Sequence, residues 1–257
     1  MKRKKLSIKY QLNKNYENIK DFLLNIKDYF KNNSNTIHKA RNELKVIEYK
    51  GIETVVKAFK VPNILNQIVY AYFRDSKAKK SYQNAIKLKN LNINTPKPIG
   101  YIEFYRNFLF KESFFISEKL DYLFTIREPL RNNNLKDREE IIKKFVAFTY
   151  NLHKNCVYHK DYSAGNILVF KNDKNEYDFS LVDINRMEFK AIDLELGLDN
   201  FAKLWLDDDS LNIIAKEYAK LVNINEEKSI NILKNCDIKL KSFVEFKRKI
   251  RGKNWIF

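Results

Sequence analysis

The feature that most constrains the fold is a pair of β-type runs joined by only two residues. NELKVIEY (42–49) and IETVVKAF (52–59) are rich in β-branched residues, and Lys50 and Gly51 lie between them. Such a short connection is typical of a hairpin turn, which pairs the two strands in antiparallel fashion. The sequence therefore predicts a β-hairpin early in the chain.

The order of the remaining elements predicts an α+β fold. A second pair of β-type runs covers 99–105 and 109–120, after the breaker TPKP at 95–98. Helical spacing or capping signals predict helices over residues 16–31, from 62 onward, over 75–91 and 136–155, and through most of 192–250. Strands and helices are thus segregated, which predicts one domain with two lobes: a β-rich N-lobe (1–117) and a mainly helical C-lobe (118–257).

Composition narrows the class of protein. Of the 257 residues, 44% are hydrophobic, enough for a packed core. The net charge of +17 is expected to attract polyanions, such as nucleic acid, an anionic membrane or a phosphorylated substrate. The two cysteines suggest neither a disulfide scaffold nor a zinc site, and the basic N-terminus lacks the apolar segment of a secretory signal. We therefore expect a cytoplasmic protein.

The stretch VYHKDYSAGNILVF (157–170) carries the strongest chemical signal. It holds His159, Asp161 and Asn166 in the order H-x-D-x-x-x-x-N and leads directly into an apolar run. This spacing is typical of a catalytic loop for phosphoryl transfer, although a polar turn by coincidence is the alternative. Asp161 is the candidate base, and His159 is more simply explained as a structural loop residue.

Two further residues complete a possible phosphotransferase site. Lys57 lies inside the apolar strand TVVKAF, where an ammonium group could meet nucleotide phosphates. Asp183 ends the second strand of a small hairpin in LVDIN, and Asn166 begins the first. An amide oxygen and a carboxylate at the same end of a hairpin are expected to hold one Mg²⁺ ion.

At these residues the chain resembles a protein-kinase-like fold, and more narrowly the Kdo/heptose kinases of the bacterial lipopolysaccharide core. The matching stretches include VVKAFKVPN (55–63), NTPKPIGYIE (94–103), VYHKDYSAGNILV (157–169) and LVDINRMEF (181–189). The resemblance covers roughly residues 38–205. It implies an ATP- and Mg²⁺-dependent phosphotransferase whose acceptor is an alcohol group of a sugar in the lipopolysaccharide inner core.

The resemblance also implies roles for individual residues. Lys57 would bind the α- and β-phosphates of ATP, with Arg41 and Asn42 in the loop that covers the nucleotide. The backbone of Glu118 and Leu120 would bind adenine. Asp161 would be the catalytic base.

The resemblance implies two metal ligands and leaves two candidates for binding the acceptor. Asn166 and Asp183 would hold Mg²⁺. Arg186 and Lys160 are candidates for binding the sugar acceptor. A surface ion pair is the alternative for Arg186.

The sequence departs from the kinase pattern in three places. The nucleotide-covering segment 38–42 has no glycine, and the metal motif reads Asp-Ile-Asn. The helix after the Lys57 strand lacks the glutamate that pairs with that lysine in this fold. Its plausible positions hold Ser81, Gln83 and Asn84.

Several alternatives stay open at this level. The chain could phosphorylate another small molecule, act as a RIO-like protein kinase, or be a catalytically inactive kinase-like binding protein. We expect no nucleic-acid partner, because no sheet motif of stacking aromatics is present. The tail at 243–257 interleaves basic and aromatic residues, so peripheral association with the cytoplasmic face of the inner membrane is open, with a packed terminal helix as the alternative.

Overall fold

The structure, a computed structural model, describes residues 6–39 and 42–251, which pack into two units. The first unit holds the chain up to Asp121 together with Asp183–Asn185. The second holds Tyr122–Val182 and the chain from Arg186 onward. The predicted lobe boundary lies between residues 117 and 118, four residues before this division.

The first unit is built on one antiparallel sheet. Its described elements are β1 (Leu6–Leu12), a 3₁₀ helix (Lys14–Ile19), α1 (Lys20–Leu24), α2 (Ile26–Asn32), β2 (Thr36–Lys39), β3 (Glu43–Tyr49), β4 (Ile52–Phe59), α3 (Ile64–Tyr72), α4 (Lys77–Asn90), β5 (Pro98–Arg106) and β6 (Leu109–Glu118). The strand order is β1-β5-β6-β4-β3-β2. Strands that are neighbours in sequence thus mostly pair with each other, which is the economical arrangement for antiparallel sheets.

The predicted hairpin forms as expected. β3 and β4 pair in register from Tyr49–Ile52 outward. Lys50 and Gly51 at the turn have φ of 50° and 75°, as a type I′ turn requires at both central positions. The turn therefore matches the right-handed twist of the two strands.

Each face of the sheet packs against helices. One face and the N-terminal helices share a large apolar cluster in which Ile19, Phe22, Leu23, Ile26, Val56 and Ile116 are fully buried. A smaller cluster joins Phe59 of β4 and Tyr101 of β5 to Ala78 and Tyr82 of α4. Because side chains alternate along β4, Lys57 lies on the same side as Phe59, facing α4.

The predicted helix over residues 16–31 is correct in its buried face but not in its continuity. The apolar residues that share one face at helical spacing are all buried: Ile19, Phe22, Leu23, Ile26 and Phe30. The helix itself is interrupted at Asn25, between α1 and α2. The strand β1 was not predicted. Its sequence LSIKYQL does alternate apolar and polar residues, but its pairing partner β5 lies almost a hundred residues away.

The second unit is mainly helical. Its described elements are β7 (Phe124–Thr125), α5 (Arg138–Lys154), β8 (Val157–His159), β9 (Ile167–Lys171), β10 (Tyr177–Leu181), β11 (Met187–Phe189), α6 (Leu194–Ala202), α7 (Asp208–Val222) and α8 (Glu226–Arg251). β9 pairs with β10 and β7, and β8 pairs with β11. The predicted small hairpin and the helices that follow it are confirmed, as is the α+β fold class.

Candidate active site

Lys57 and Asp183 lie together within the first unit. The Nζ atom of Lys57 is 2.5 Å from Oδ1 of Asp183, and only 11% of the lysine side chain is exposed. An ammonium group with so little access to water requires a compensating charge, and Asp183 supplies it. The structure thus brings together the predicted phosphate-binding lysine and one predicted metal ligand, although they are 126 residues apart.

The Asp183–Asn185 segment has a distinctive backbone. Asp183 has φ of 53°, in the left-handed region that few residues other than glycine adopt. Its Oδ1 also accepts a hydrogen bond from the side-chain amide of Asn185. Residues held in such backbone conformations often belong to functional sites, because the surrounding structure must stabilise the strain.

Asn84 of α4 fixes this segment. Its Nδ2 donates a buried hydrogen bond of 2.7 Å to the carbonyl oxygen of Ile184. Ser81 instead bonds to the carbonyl of Lys77 in its own helix. Of the three positions considered for a glutamate partner of Lys57, the one at Asn84 thus holds an amide that binds the backbone beside Asp183, while Asp183 itself pairs with the lysine.

We predict that Asn84→Ala weakens both folding and catalysis. The change leaves the buried Ile184 carbonyl without its donor, which costs about 1–3 kcal/mol of unfolding free energy. We expect the turnover number to fall severalfold, because the Asp183 segment loses its anchor. Thermal unfolding and steady-state kinetics measure the two effects. Ser81→Ala is the matched control, and an equal effect of both changes would contradict the anchoring role.

The predicted catalytic loop, in the second unit, is held by contacts to the backbone. His159 is fully buried, and its Nδ1 accepts a hydrogen bond from the backbone N–H of Asp161 at 3.1 Å. Its Nε2 lies 3.3 Å from the carbonyl oxygen of Val182. The contacts are those of a neutral ring protonated on Nε2, so His159 acts as a structural residue that orients the loop.

Asn166 closes the loop on its other side. Its Nδ2 donates to the backbone carbonyl of Asp161 at 2.9 Å, and the backbone carbonyl of Asn166 accepts a hydrogen bond from the N–H of Val182. With the amide nitrogen engaged, Oδ1 is the atom that remains for a cation. Asn166 belongs to the second unit and Asp183 to the first, so their shared metal site stays a prediction.

Asp161 is a half-exposed carboxylate that pairs with Arg186. Its Oδ2 accepts a hydrogen bond of 3.1 Å from Nη1 of Arg186. This contact places Arg186, a predicted acceptor-binding residue, directly beside the predicted base. The guanidinium retains further donors for an anionic group, since arginine carries five N–H donors.

Lys160 points to a different neighbour. Its ammonium pairs with Glu188 on β11, which also pairs with Lys190 at 2.9 Å. Hydrogen bonds from Lys160 and then Lys190 lower the pKa of Glu188 to about 2, so this carboxylate stays ionised. The structure thus engages Lys160 in a surface charge cluster that neighbours the loop but does not include Asp161.

The predicted adenine-binding segment ends β6. The N–H of Glu118 donates to the carbonyl of Lys97, and its carboxylate binds the hydroxyl of Tyr16 and the ammonium of Lys97. The N–H of Leu120 makes no backbone hydrogen bond within the described chain. Leu120 can therefore donate to a base, whereas Glu118 can offer only its carbonyl oxygen.

The predicted nucleotide-covering segment is only partly described. Arg41 lies outside the described residues. Asn42 precedes β3, and its Oδ1 lies 3.4 Å from the N–H of Lys60 as an acceptor. His38 and Lys39 of this segment belong to β2 and pair with Leu44 and Glu43 of β3.

Asn200 also binds the predicted catalytic loop, and its place in the sequence did not predict this contact. It is fully buried on α6, and its Nδ2 donates to the carbonyl of His159 at 3.0 Å. Its Oδ1 lies 3.3 Å from Nε2 of His153, whose pKa is lowered to about 4 by burial. The only sequence signal was one asparagine within an apolar helical stretch, which does not identify its partner.

The side chains of the two predicted metal ligands carry donor types that suit Mg²⁺ better than a transition metal. No group of three or more His, Cys, Asp or Glu side chains in the described chain could hold a metal ion. Mg²⁺ does not need such a group, because it is usually bound by one or two protein oxygens together with substrate phosphates and water. Asp183 and Asn166 supply oxygen donors of this kind.

Comparison with known proteins identifies the family. The sequence profile of the lipopolysaccharide kinase (Kdo/WaaP) family matches residues 61–221, more than half of the chain. No curated protein matches. The described fold is similar to that of WaaP in complex with acyl carrier protein, with a TM-score of 0.62 and 12% identity, over 91% of this chain and 98% of that one.

A weaker similarity extends to WbdD. Its structure with a kinase inhibitor aligns with 79% of this chain and 44% of its own, at 16% identity and a TM-score of 0.44. The likeness to WaaP establishes the protein-kinase-like fold that the sequence predicted.

Proposed function

Since this chain belongs to the lipopolysaccharide kinase (Kdo/WaaP) family, we propose that it phosphorylates a Kdo or heptose hydroxyl of the lipopolysaccharide inner core. Membership in the family makes the protein a phosphotransferase that acts on a sugar hydroxyl with ATP as donor. The proposal adds the acceptor sugar and the residues that perform the reaction. Kdo is the acidic alternative and heptose the neutral one.

The ion pair between Lys57 and Asp183 carries the proposal. A kinase needs a cation on the nucleotide phosphates and a carboxylate on the metal, and this pair presents both groups within 2.5 Å of each other. Because the lysine is almost buried, its ammonium stays directed toward Asp183 before any nucleotide binds. When a magnesium–nucleotide complex binds, the Lys57 ammonium would contact the phosphates and the Asp183 carboxylate would contact the metal.

The catalytic loop supplies the base. Asp161 accepts the proton of the attacking sugar hydroxyl, and the γ-phosphoryl group passes to the sugar oxygen as its bond to the β-phosphate oxygen breaks. His159 and Asn166 hold the loop through its backbone. Mg²⁺, when bound through Asn166 and Asp183, neutralises charge on the phosphates.

The acceptor side is basic. Arg186 beside Asp161 favours an anionic acceptor, because its remaining donors can bind a carboxylate in a bidentate manner. This observation favours Kdo over heptose. We further propose that the protein works at the cytoplasmic face of the inner membrane, where its acceptor is lipid-linked and its net charge of +17 favours anionic lipid.

The described part of the basic tail is compatible with that location. In α8 the side chains of Phe243, Phe246 and Ile250 are exposed at helical spacing, and Nζ of Lys247 lies 4.1 Å from the Phe243 ring centroid. Residues 252–257 lie outside the described chain. Within the described chain, no helix combines the length and apolar character needed to cross a bilayer.

Mass spectrometry of the lipopolysaccharide core tests the proposed acceptor. Core from a deletion strain should be lighter by one phosphate group, and the purified protein with ATP should restore that group. Fragmentation then assigns the phosphate to Kdo or to heptose. A strain that expresses the Asp161→Asn protein is the matched control, and an unchanged core in the deletion strain contradicts the proposal.

A further inference from the structure

Helix α3 exposes an unusually apolar surface. Ile64, Leu65 and Phe73 are 63%, 71% and 82% exposed. They belong to a set of exposed apolar side chains along one segment, which we name the α3 apolar surface: Val61, Ile64, Leu65, Ile68, Val69, Tyr72 and Phe73. Contiguous apolar surface of this kind usually marks an interaction site, because exposing it to water is unfavourable.

The most buried residue of the same helix is polar. Gln67 is the buried residue of α3, with its Nε2 donating to the carbonyl of Pro62 at 2.9 Å. Its Oε1 accepts from Nζ of Lys111 on β6 at 2.6 Å. A surface helix of a soluble protein normally shows the reverse pattern. These specific hydrogen bonds fix α3 in the orientation that turns its apolar side outward.

Basic residues flank the α3 apolar surface. The helix itself contains no charged residue. The segment from residue 60 to 80 that surrounds it carries five cations and one anion, for a net charge of +4: Lys60, Arg74, Lys77, Lys79 and Lys80 against Asp75. An apolar face with a basic margin is the composition of helices that lie in the interface of an anionic bilayer.

A pocket of about 400 Å³ lies at the C-terminal end of α3. Its lining includes Phe73, the cations Lys9, Arg74 and Lys79, and the carboxylates Asp75 and Glu103. Asp75 pairs with Lys79 at 2.7 Å, and Glu103 accepts a hydrogen bond from the Tyr105 hydroxyl. Lys9 Nζ lies 4.9 Å from the Tyr105 ring, and the Arg74 guanidinium 6.0 Å from the Tyr70 ring. Contact with an aromatic ring leaves N–H donors of both groups available for phosphate oxygens.

We propose that the α3 apolar surface docks the protein on an anionic lipid bilayer. The exposed apolar side chains enter the boundary between headgroups and acyl chains, and Lys9 and Arg74 bind lipid headgroup phosphates at the end of the helix. The inference gives the proposed membrane association a surface in the first unit, separate from the basic tail. It does not depend on which sugar is phosphorylated.

The charge pattern favours a bilayer over a second copy of the chain. Two α3 apolar surfaces in contact would bring two basic margins of the same sign together, and this repulsion opposes self-association. An anionic membrane removes the apolar side chains from water and neutralises the cations at the same time. Each cation near such a surface adds to the attraction.

Vesicle co-sedimentation of the full chain tests the docking surface. Ile64→Ser combined with Phe73→Ser should lower the partition coefficient on phosphatidylglycerol-containing vesicles at least about tenfold, since each side chain loses its apolar burial. The control Ile238→Ser removes an isoleucine that is 60% exposed on α8, nearly as much as Ile64, and should change binding less than about twofold. Circular dichroism verifies that all variants are folded.

A second variant tests the headgroup contacts. Lys9→Ala combined with Arg74→Ala should reduce the preference for phosphatidylglycerol over phosphatidylcholine vesicles. Phosphorylation of a water-soluble core oligosaccharide should remain unchanged in both double variants, so that loss of docking is distinguished from loss of kinase function.

Three results overturn the proposal. One is wild-type vesicle binding by the Ile64→Ser/Phe73→Ser protein. Another is that a protein truncated before residue 243 no longer binds vesicles while the Ile64→Ser/Phe73→Ser protein still does. The third is a change of oligomeric state without a change in vesicle binding: the wild type sediments as a dimer and the double variant as a monomer. That result would assign the surface to contact with a second copy of the chain.

Discussion

Replacing Asp161 by Asn should lower the rate of phosphate transfer by about 10²–10⁴-fold, the contribution typical of a positioned general base. The amide cannot accept the proton of the sugar hydroxyl, and it no longer attracts the Arg186 guanidinium electrostatically. ATP binding should change little, because Asp161 is not among the residues proposed to bind the nucleotide. Turnover with core oligosaccharide, and nucleotide affinity by calorimetry, measure the two effects.

A matched control separates this role from a general effect of charge. Asp173 lies exposed in the turn between β9 and β10, so Asp173→Asn removes the same charge from the same unit. Its turnover should stay within about twofold of the wild-type value, because a surface substitution of this kind usually changes free energies by no more than about 0.5 kcal/mol. Normal turnover in Asp161→Asn would assign the loop to positioning alone and remove the proposed base.

The sequence predicted the framework well because its main signals are local. The hairpin around Lys50 and Gly51 needs only a two-residue turn between β-type runs, and the helix caps at Asn63 and Ser76 bond within their own first turns. Such features are determined by neighbouring residues. The predicted buried face of the first helix also appears, although Asn25 interrupts the helix itself.

The less predictable features depend on long-range pairing. β1 is stabilised by β5, and Asn84 meets Ile184 across one hundred residues of sequence. Asn200 reaches His159 from another helix. No spacing rule connects such residues before the chain is folded. Their types were visible in the sequence, but the carbonyl groups that they bind were not.

The inward direction of Gln67 also escaped the sequence analysis for a physical reason. A run such as ILNQIVYAY has the composition of a helix that packs its apolar side on a core, and burial of its one glutamine is the less common outcome. The hydrogen bond from Lys111 on β6 makes that outcome possible. Sequence periodicity shows that a helix is one-sided, but not which side is covered.

Replacing Asp183 should have the largest effect on catalysis. The Asp183→Asn side chain is nearly isosteric, and asparagine tolerates the positive φ at this position. The change removes the carboxylate proposed to hold Mg²⁺, and a metal contributes several kcal/mol of charge stabilisation to the transition state. We therefore expect turnover to fall by about 10³-fold or more, since each 1.36 kcal/mol corresponds to a factor of ten.

The same substitution should destabilise the first unit through Lys57. With the carboxylate gone, an ammonium group that is only 11% exposed loses its counter-charge. The cost should be about 1–3 kcal/mol, less than for a fully buried pair because the Asp183 side chain is 29% exposed. Adding Lys57→Met should restore much of this stability while leaving the protein inactive.

This combination separates the electrostatic role from the chemical one. Denaturant unfolding measures the stabilities of the wild type, both single variants and the double variant, and radiolabelled ATP measures transfer. Lys143→Met in the more exposed pair with Glu139 on α5 is the control, and it should cost about 0–1 kcal/mol without loss of turnover. If Asp183→Asn and the double variant are equally unstable, the pair does not supply the compensating charge that Lys57 needs. If either single variant retains full turnover, the ion pair is structural, and the phosphate-binding and metal-binding roles must lie with other residues.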